Sequence, residues 1–140
     1  MKTVIAKVMS VGLFLGTTIF GSGYTCTSAE TAQGKWTVKL YNHTATVTRV
    51  PAVLVVSNEV QGTVLRRTDS EIKKVNRANT VQFVVEGNRK IDADSVIFQI
   101  KHKEGREILE ERELVVGQLI LVKEAEKEVI SLECVRYLKN

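Results

Sequence analysis

Residues 80–102 read TVQFVVEGNRKIDADSVIFQIKH and contain the clearest structural signal of the chain. Apolar side chains occupy every second position of Thr80–Glu86 and again of Ser95–His102. A period of two is typical of strands that bury one face, and the pair Gly87-Asn88 between the two runs is a turn signal. The stretch therefore predicts two β-strands joined by a polar connection.

The same period appears on both sides of this stretch. Trp36–Leu40 alternates apolar and polar residues, and Ala52–Ser57 (AVLVVS) is apolar enough for a strand covered on both sides. Leu119–Lys123 and Val129–Tyr137 read as a C-terminal hairpin. Such a series of short strands predicts an all-β fold, a small antiparallel two-sheet sandwich of immunoglobulin-like type, with a small β-barrel as the alternative.

Two segments fit this pattern less well. Asp69–Asn76 (DSEIKKVN) is compatible with one helical turn, and it lies in Gln61–Asn79, the longest stretch without clear strand character. Glu107–Val116 contains strong helix formers, but its neighbours favour a strand.

The first 29 residues have the features of an export signal. Lys2 supplies a positive charge, Val8–Phe20 is uncharged and largely apolar, and small and polar residues follow as a cleavage region. We expect cleavage after Ala29, with Gly23 as the alternative, which leaves residues 30–140 as a single domain. The apolar run is short for a membrane span. The predicted location is the periplasm, the cell envelope or the secreted fraction, with no stable span after cleavage.

The state of the two cysteines, Cys26 and Cys134, depends on the cleavage site. Cleavage after Gly23 would allow a disulfide between the two ends of the domain in an oxidising compartment. Cleavage after Ala29 would leave Cys134 alone as a buried thiol. Both outcomes stay open at the sequence level.

Catalytic groups are sparse, and we predict that the protein is not an enzyme. His43 and His102 stand alone at strand ends, and no G-x-S-x-G motif occurs. Ser70 and Lys73 match the short S-x-x-K spacing, which chance alone readily produces.

No metal or cofactor is predicted either. Asp92 and Asp94 lie two apart in a polar connection, which offers too few oxygen ligands for calcium and favours a solvated turn. The histidines do not form a cluster with the close spacing that a metal site needs.

The charge distribution suggests where a partner would bind. The formal net charge is +4, with basic residues in excess over 61–103 and acidic residues in excess over 104–133. Basic side chains without interleaved aromatics, in an exported chain, do not favour nucleic acid. The candidate binding residues are the basic side chains of the 61–79 connection, which would suit carboxylates or phosphates: Arg66, Arg67, Lys73, Lys74 and Arg77.

These observations lead to two functional hypotheses. The first is an exported, non-enzymatic binding or assembly module whose partner is another protein or an anionic envelope polymer. It would act through its loops or through an edge strand such as Thr44–Thr48, which lacks blocking charges. The alternative is a proteinaceous inhibitor of a secreted or envelope hydrolase, which needs only a rigid scaffold and a projecting loop. A small enzyme ranks below both.

Overall fold

The computed structural model of the protein describes residues 21–41, 52–101 and 114–139. These residues form nine β-strands and one short 3-10 helix, Asp69–Glu71. The strands in chain order are β1 (Gly21–Ser28), β2 (Trp36–Tyr41), β3 (Val53–Asn58), β4 (Gly62–Thr68), β5 (Lys73–Asn76), β6 (Thr80–Glu86), β7 (Ser95–Lys101), β8 (Leu114–Lys123) and β9 (Glu126–Lys139).

All nine strands belong to one antiparallel sheet, so the prediction of an all-β fold is confirmed. Their order is β4-β3-β2-β1-β9-β8-β7-β6-β5, and the sheet curls into a half-barrel. The two-sheet sandwich is not confirmed, whereas the barrel-like alternative fits. Alternating strands bury one face in either architecture, and here a single curled sheet encloses its own core.

The directions of the strands reveal how the sheet is built. Every neighbouring pair is antiparallel, so directions alternate outward from the β1–β9 pair to β4 on one side and to β5 on the other. This alternation makes β4 and β5 run in the same direction. Because only the 3-10 helix and Ile72 separate them, they form one bent strand whose first part pairs with β3 and whose second part pairs with β6.

Side chains fasten the open edge of β4 to the far side of the sheet. Arg67 donates from Nε to the Glu86 carbonyl oxygen and from a terminal guanidinium nitrogen to the Gly87 carbonyl oxygen, both at 3.2 Å. Asn88 Nδ2 donates to the carbonyl oxygen of Val64 at 3.0 Å. These hydrogen bonds join β4 to the end of β6 and to the β6–β7 connection, forming a seam at which the described residues have no backbone ladder.

The inner face of the sheet forms one hydrophobic cluster, which draws on β1–β4 and β6–β9. At its centre Phe83 and Phe98 stack with ring centroids 5.9 Å apart, and Tyr24 meets Phe98 edge-on at 6.4 Å. The period-two residues of β2, β6 and β7 are buried as their patterns predict. Ala52–Ser57 differs from the prediction of a strand covered on both sides, because Leu54 and Val56 are buried while its other residues are only half-buried.

β1 and β9, the first and last described strands in chain order, are neighbours in the sheet. β1 pairs with β9 along its full length, and Cys26 lies directly opposite Cys134. The two cysteines are joined by a disulfide with Cα atoms 4.0 Å apart, and both are fully buried.

This junction bears on the predicted leader, residues 1–29, although the leader and its cleavage site stay predictions. β1 lies between β2 and β9 and contributes the buried Tyr24 and Cys26. A cut after Ala29 would remove that strand from the middle of the sheet. A cut after Gly23 would keep most of it.

Two further expectations concern the stretches between strands. Gln61–Asn79 contains β4, a 3-10 turn and β5 where the sequence suggests a long connection, and one helical turn does occur there. Of Glu107–Val116, only the last three residues are described, and they open β8. Thr44–Thr48, His43 and His102 lie outside the described residues.

Candidate functional site

The structure places four of the five predicted binding residues on the two parts of the bent strand, on both of its faces, and the fifth, Arg77, in the turn that follows β5. Arg66 lies opposite the half-buried Val55 and is exposed. Lys74 lies opposite the buried Phe83, with its Nζ 5.9 Å from the centre of that ring. The five basic residues therefore do not form one cluster.

The other three basic residues differ in what they contact. The Arg67 side chain donates hydrogen bonds to the carbonyl oxygens of Glu86 and Gly87 at the seam. Lys73 is exposed opposite Val84, and Arg77 donates its backbone N–H to the Thr80 carbonyl oxygen in the β5–β6 turn. Whether any of them binds a partner stays a prediction, and Arg67 has a structural role besides.

One of the five, Arg66, lies in a depression on the outer face of β2, β3 and β4. This depression has a volume of ≈ 470 Å³. Register aligns Lys39, Val55 and Arg66 across the three strands, so that the two cations flank one apolar side chain. Since neighbouring strands lie about 4.8 Å apart, the two cations emerge from backbone positions roughly 10 Å apart.

A row of hydroxyl groups lies beside these cations. Thr37, Ser57 and Thr63 are aligned in the next outward-facing register, and the hydroxyls of Ser57 and Thr63 are 3.4 Å apart. Tyr41 completes the lining, in which no described carboxylate takes part. Cations and hydroxyls are together suited to the oxygen atoms of an anion.

Lys39 is the functional candidate that sequence reasoning missed. The alternation in Trp36–Leu40 implies that Lys39 points away from the core. Its closeness to Arg66 follows only from the pairing of β2 with β3 and of β3 with β4. A single strand carries no signal for that juxtaposition.

Asp92 and Asp94 have structural partners at the end of the sheet opposite to Gly21 and Lys139. Asp92 pairs with Lys123 at 2.8 Å, and Asp94 accepts the backbone N–H of Glu124 at 2.7 Å. The carboxylate of Asp92 raises the pKa of Lys123, chiefly through this hydrogen bond. The two carboxylates fasten the β6–β7 connection to the β8–β9 turn, and residues 21–41, 52–101 and 114–139 contain no cluster of three metal-ligating side chains.

The S-x-x-K match does not produce a catalytic pair of the helical kind. Ser70 lies in the 3-10 helix, which ends at Glu71, and Lys73 begins strand β5. Both residues are exposed to solvent, so neither has the shaped, buried surroundings that activate a nucleophile.

Comparison with known proteins yields no relative: no family model matches the chain, and neither the curated proteins nor the solved structures contain a match. Within the described part of the chain, no helix has the length and apolar character needed to cross a membrane.

Proposed function

We propose that the protein is an exported, non-enzymatic binding module that holds an anionic polymer on the outer face of β2, β3 and β4. The observation that carries the proposal is the depression in which Lys39 and Arg66 flank Val55 beside a row of hydroxyls. A shallow site on an outer sheet face suits an extended chain of repeating anionic groups better than a small enclosed ligand.

Two features support export and binding. A buried disulfide in a small all-β chain is typical of proteins that fold in an oxidising compartment. The cations of the depression are exposed, so their attraction to an anion acts through water and falls with added salt. Affinity would therefore come from several repeating contacts along the polymer, not from one strong pair.

The test is charge reversal of the two cations in one variant, Lys39→Glu/Arg66→Glu. Its binding to dextran sulfate is measured by isothermal titration at low and high ionic strength. We expect the variant to bind at least about tenfold more weakly at low salt, with the difference shrinking as salt is added. The matched control is Lys101→Glu/Lys127→Glu, which makes the same charge change at exposed positions of other strands.

Equal losses in the two variants would mean that only net charge matters, and the proposal would be wrong. Titration with polyglutamate separates an acidic protein surface from a sulfated or phosphorylated polymer. If polyglutamate alone bound, the partner would be a protein. Reversal of Arg67 is a poor test, since it would also disturb the seam.

The hydrolase-inhibitor alternative and edge pairing by Thr44–Thr48 stay predictions. Thr44–Thr48 lies outside the described residues, and in the described part of the chain no contact or cavity specifically favours an inhibitor.

A further inference from the structure

Strand β8 carries apolar side chains on both of its faces. Its inward positions contribute Val115, Leu119 and Leu121 to the core. Its outward positions are apolar except for one glutamine: Leu114, Val116, Gln118, Ile120 and Val122. A strand that is apolar on both faces is typical of a sheet that is covered on both sides. The composition of β8 therefore indicates that its outer face is also covered in the working form of the protein.

The outer face of β8 is open in the described part of the chain. Leu114 and Val116 are 74% and 62% exposed, and Val129 of β9 is 53% exposed. The β8–β9 register joins them into one surface, because Leu114 lies opposite Val135 and Ile120 lies opposite Val129. A continuous exposed apolar surface of this kind marks an interaction site.

Strand β7 extends this surface on the other side of β8. Ile97 lies opposite Ile120, so an aliphatic row crosses the three strands as Ile97, Ile120 and Val129. We call the outward side chains of β7, β8 and β9 the β8 face, since β8 runs along its centre.

Two charged side chains of opposite sign flank the centre of the β8 face. Glu133 of β9 lies opposite Val116, and Lys101 of β7 follows Ile100, which lies opposite Gly117. Lys101 and Glu133 therefore emerge on the two sides of Val116, and both are exposed. A face with a cation on one side of its centre and an anion on the other is complementary to a copy of itself turned by 180° about its long direction.

We propose that two copies of the protein pack through their β8 faces, related by a two-fold axis parallel to β8. Sheets stacked about 10 Å apart interdigitate their facing side chains. In this arrangement β8 faces β8, and β7 of each copy faces β9 of the other. Lys101 then meets Glu133 of the second copy, and the same pair forms twice by symmetry. Ile97 meets Val129 of the second copy, and Val116 meets its own counterpart.

The size of the β8 face predicts a weak dimer. From Leu114 to Val122 the strand is about 27 Å long, and β7 and β9 lie about 10 Å apart. A contact of this size is at the low end for specific interfaces, so we expect a Kd of about 100 µM.

The dimer proposal does not rest on the polymer-binding proposal. The depression beside Arg66 belongs to β2, β3 and β4 and shares no strand with the β8 face. Polymer titrations made well below the dimerisation range examine the single protein, so Lys101 and Lys127 keep their use as control positions there.

Sedimentation equilibrium of the full chain tests the dimer, at concentrations from about 5 to 500 µM. We expect the average mass to rise from that of one chain towards that of two. Val116→Lys places two like charges against each other at the axis and should weaken dimerisation at least about tenfold. The matched control is Val60→Lys, the same change at a 73% exposed residue of the β3–β4 turn, and it should dimerise as the unaltered protein does.

A charge exchange tests whether the partner is a second copy in this orientation. Lys101→Glu and Glu133→Lys each create two like-charge pairs across the axis, and each should weaken dimerisation about fivefold. The double variant Lys101→Glu/Glu133→Lys restores opposite charges across the axis and should recover most of the loss. A different protein as the partner would give no such recovery.

The proposal is overturned if the unaltered protein stays a single chain up to about 500 µM. It is also overturned if Val116→Lys and Val60→Lys associate equally, which is the result expected if the apolar residues of Val8–Phe20 cause the association. A double variant no better than the product of its two single changes would overturn it as well.

Discussion

Glu71 stabilises the bend of the long β4–β5 strand through its carboxylate. Its Oε1 accepts the Thr68 backbone N–H at 2.9 Å and the Thr68 hydroxyl at 3.1 Å. The backbone hydrogen bond lowers the pKa of Glu71 most, the hydroxyl lowers it further, and the charge of Arg67 adds a smaller effect. This arrangement is a capping box, in which a side chain satisfies an N–H group at the start of a helical turn.

The carboxyl group of Glu71 should therefore titrate below the ordinary value of 4.5. A lowered folded-state pKa stabilises the fold above the ordinary pKa, and this contribution disappears as the pH falls through the lowered value. Carbon-detected NMR titration measures the midpoint directly. Thr68→Val removes the hydroxyl donor and should move the midpoint part of the way back. A midpoint at or above 4.5 in the unaltered protein would contradict the assignment.

Individual residues show which structural roles can be predicted from the local sequence and which cannot. Gly87 was predicted to open a connection, and it does; a Cβ there would overlap the Ala93 carbonyl oxygen. Gly117 lies within a strand, where a Cβ would come 2.8 Å from Cys134 Sγ. Its role is readable only once β8 is known to lie beside β9. The hydrogen bonds that Arg67 donates to Glu86 and Gly87 likewise become predictable only once β4 is known to lie beside the end of β6.

At the scale of elements, strands such as β6 and β7 were predictable, whereas the edge strands β4 and β5 and the interior strand β1 were not. β6 and β7 bury one face against the core, so buried and half-buried residues alternate along them, with an apolar side chain at every buried position. β4 and β5 are the edges of the sheet, and β5 has no fully buried residue. An edge strand requires fewer apolar side chains, which is why Gln61–Asn79 resembles a polar connection in the sequence.

β1 gives the sharpest test at this scale. A chain that begins at Glu30 lacks a central strand, its buried Tyr24 and one half of the disulfide. We expect it to lose more than about 5 kcal/mol, which is comparable with the whole stability of a small domain. Urea denaturation should show no cooperative transition.

A chain that begins at Gly21 is the control, and it should unfold cooperatively. If the chain beginning at Glu30 proved equally stable, β1 would be dispensable, and a leader ending at Ala29 would be compatible with the fold. The outcome also decides which of the two cleavage predictions the folded domain can tolerate.

For the molecule as a whole, the disulfide closes the largest loop in the described chain. Cys26 and Cys134 are 108 residues apart in sequence. In the chain-entropy model, a loop of that length contributes about 4–5 kcal/mol by restricting the unfolded chain. Cys26→Ala/Cys134→Ala should therefore lower the free energy of unfolding by about that amount, as measured by urea titration.

Reduction of the unaltered protein under the same conditions should give a similar loss, which separates the bond from the packing of the two sulfur atoms. A loss below about 1 kcal/mol in both experiments would show that the β1–β9 ladder and the core hold the two ends together without the bond.

The overall architecture could not be predicted from the sequence alone. Alternation states which side of a strand is buried, and a sandwich and a half-barrel use it identically. The distinguishing fact is that β1 pairs with β9, an interaction between strands at opposite ends of the described chain. The outer depression likewise depends on strand pairing, because Lys39, Val55 and Arg66 come from three separate strands.

Because β1 pairs with β9, the first and last described strands lie side by side, as they would in a chain whose ends were joined. Gly21 lies opposite Lys139, and among the described strands only β4 and β5, on either side of the bend at Asp69–Glu71, follow each other in sequence without pairing. A circular permutant that joined Lys139 to Gly21 through a linker and opened the chain at this bend would run β5-β6-β7-β8-β9-β1-β2-β3-β4. Its strands would follow one another in sequence as they do in space, and every strand pairing would become local.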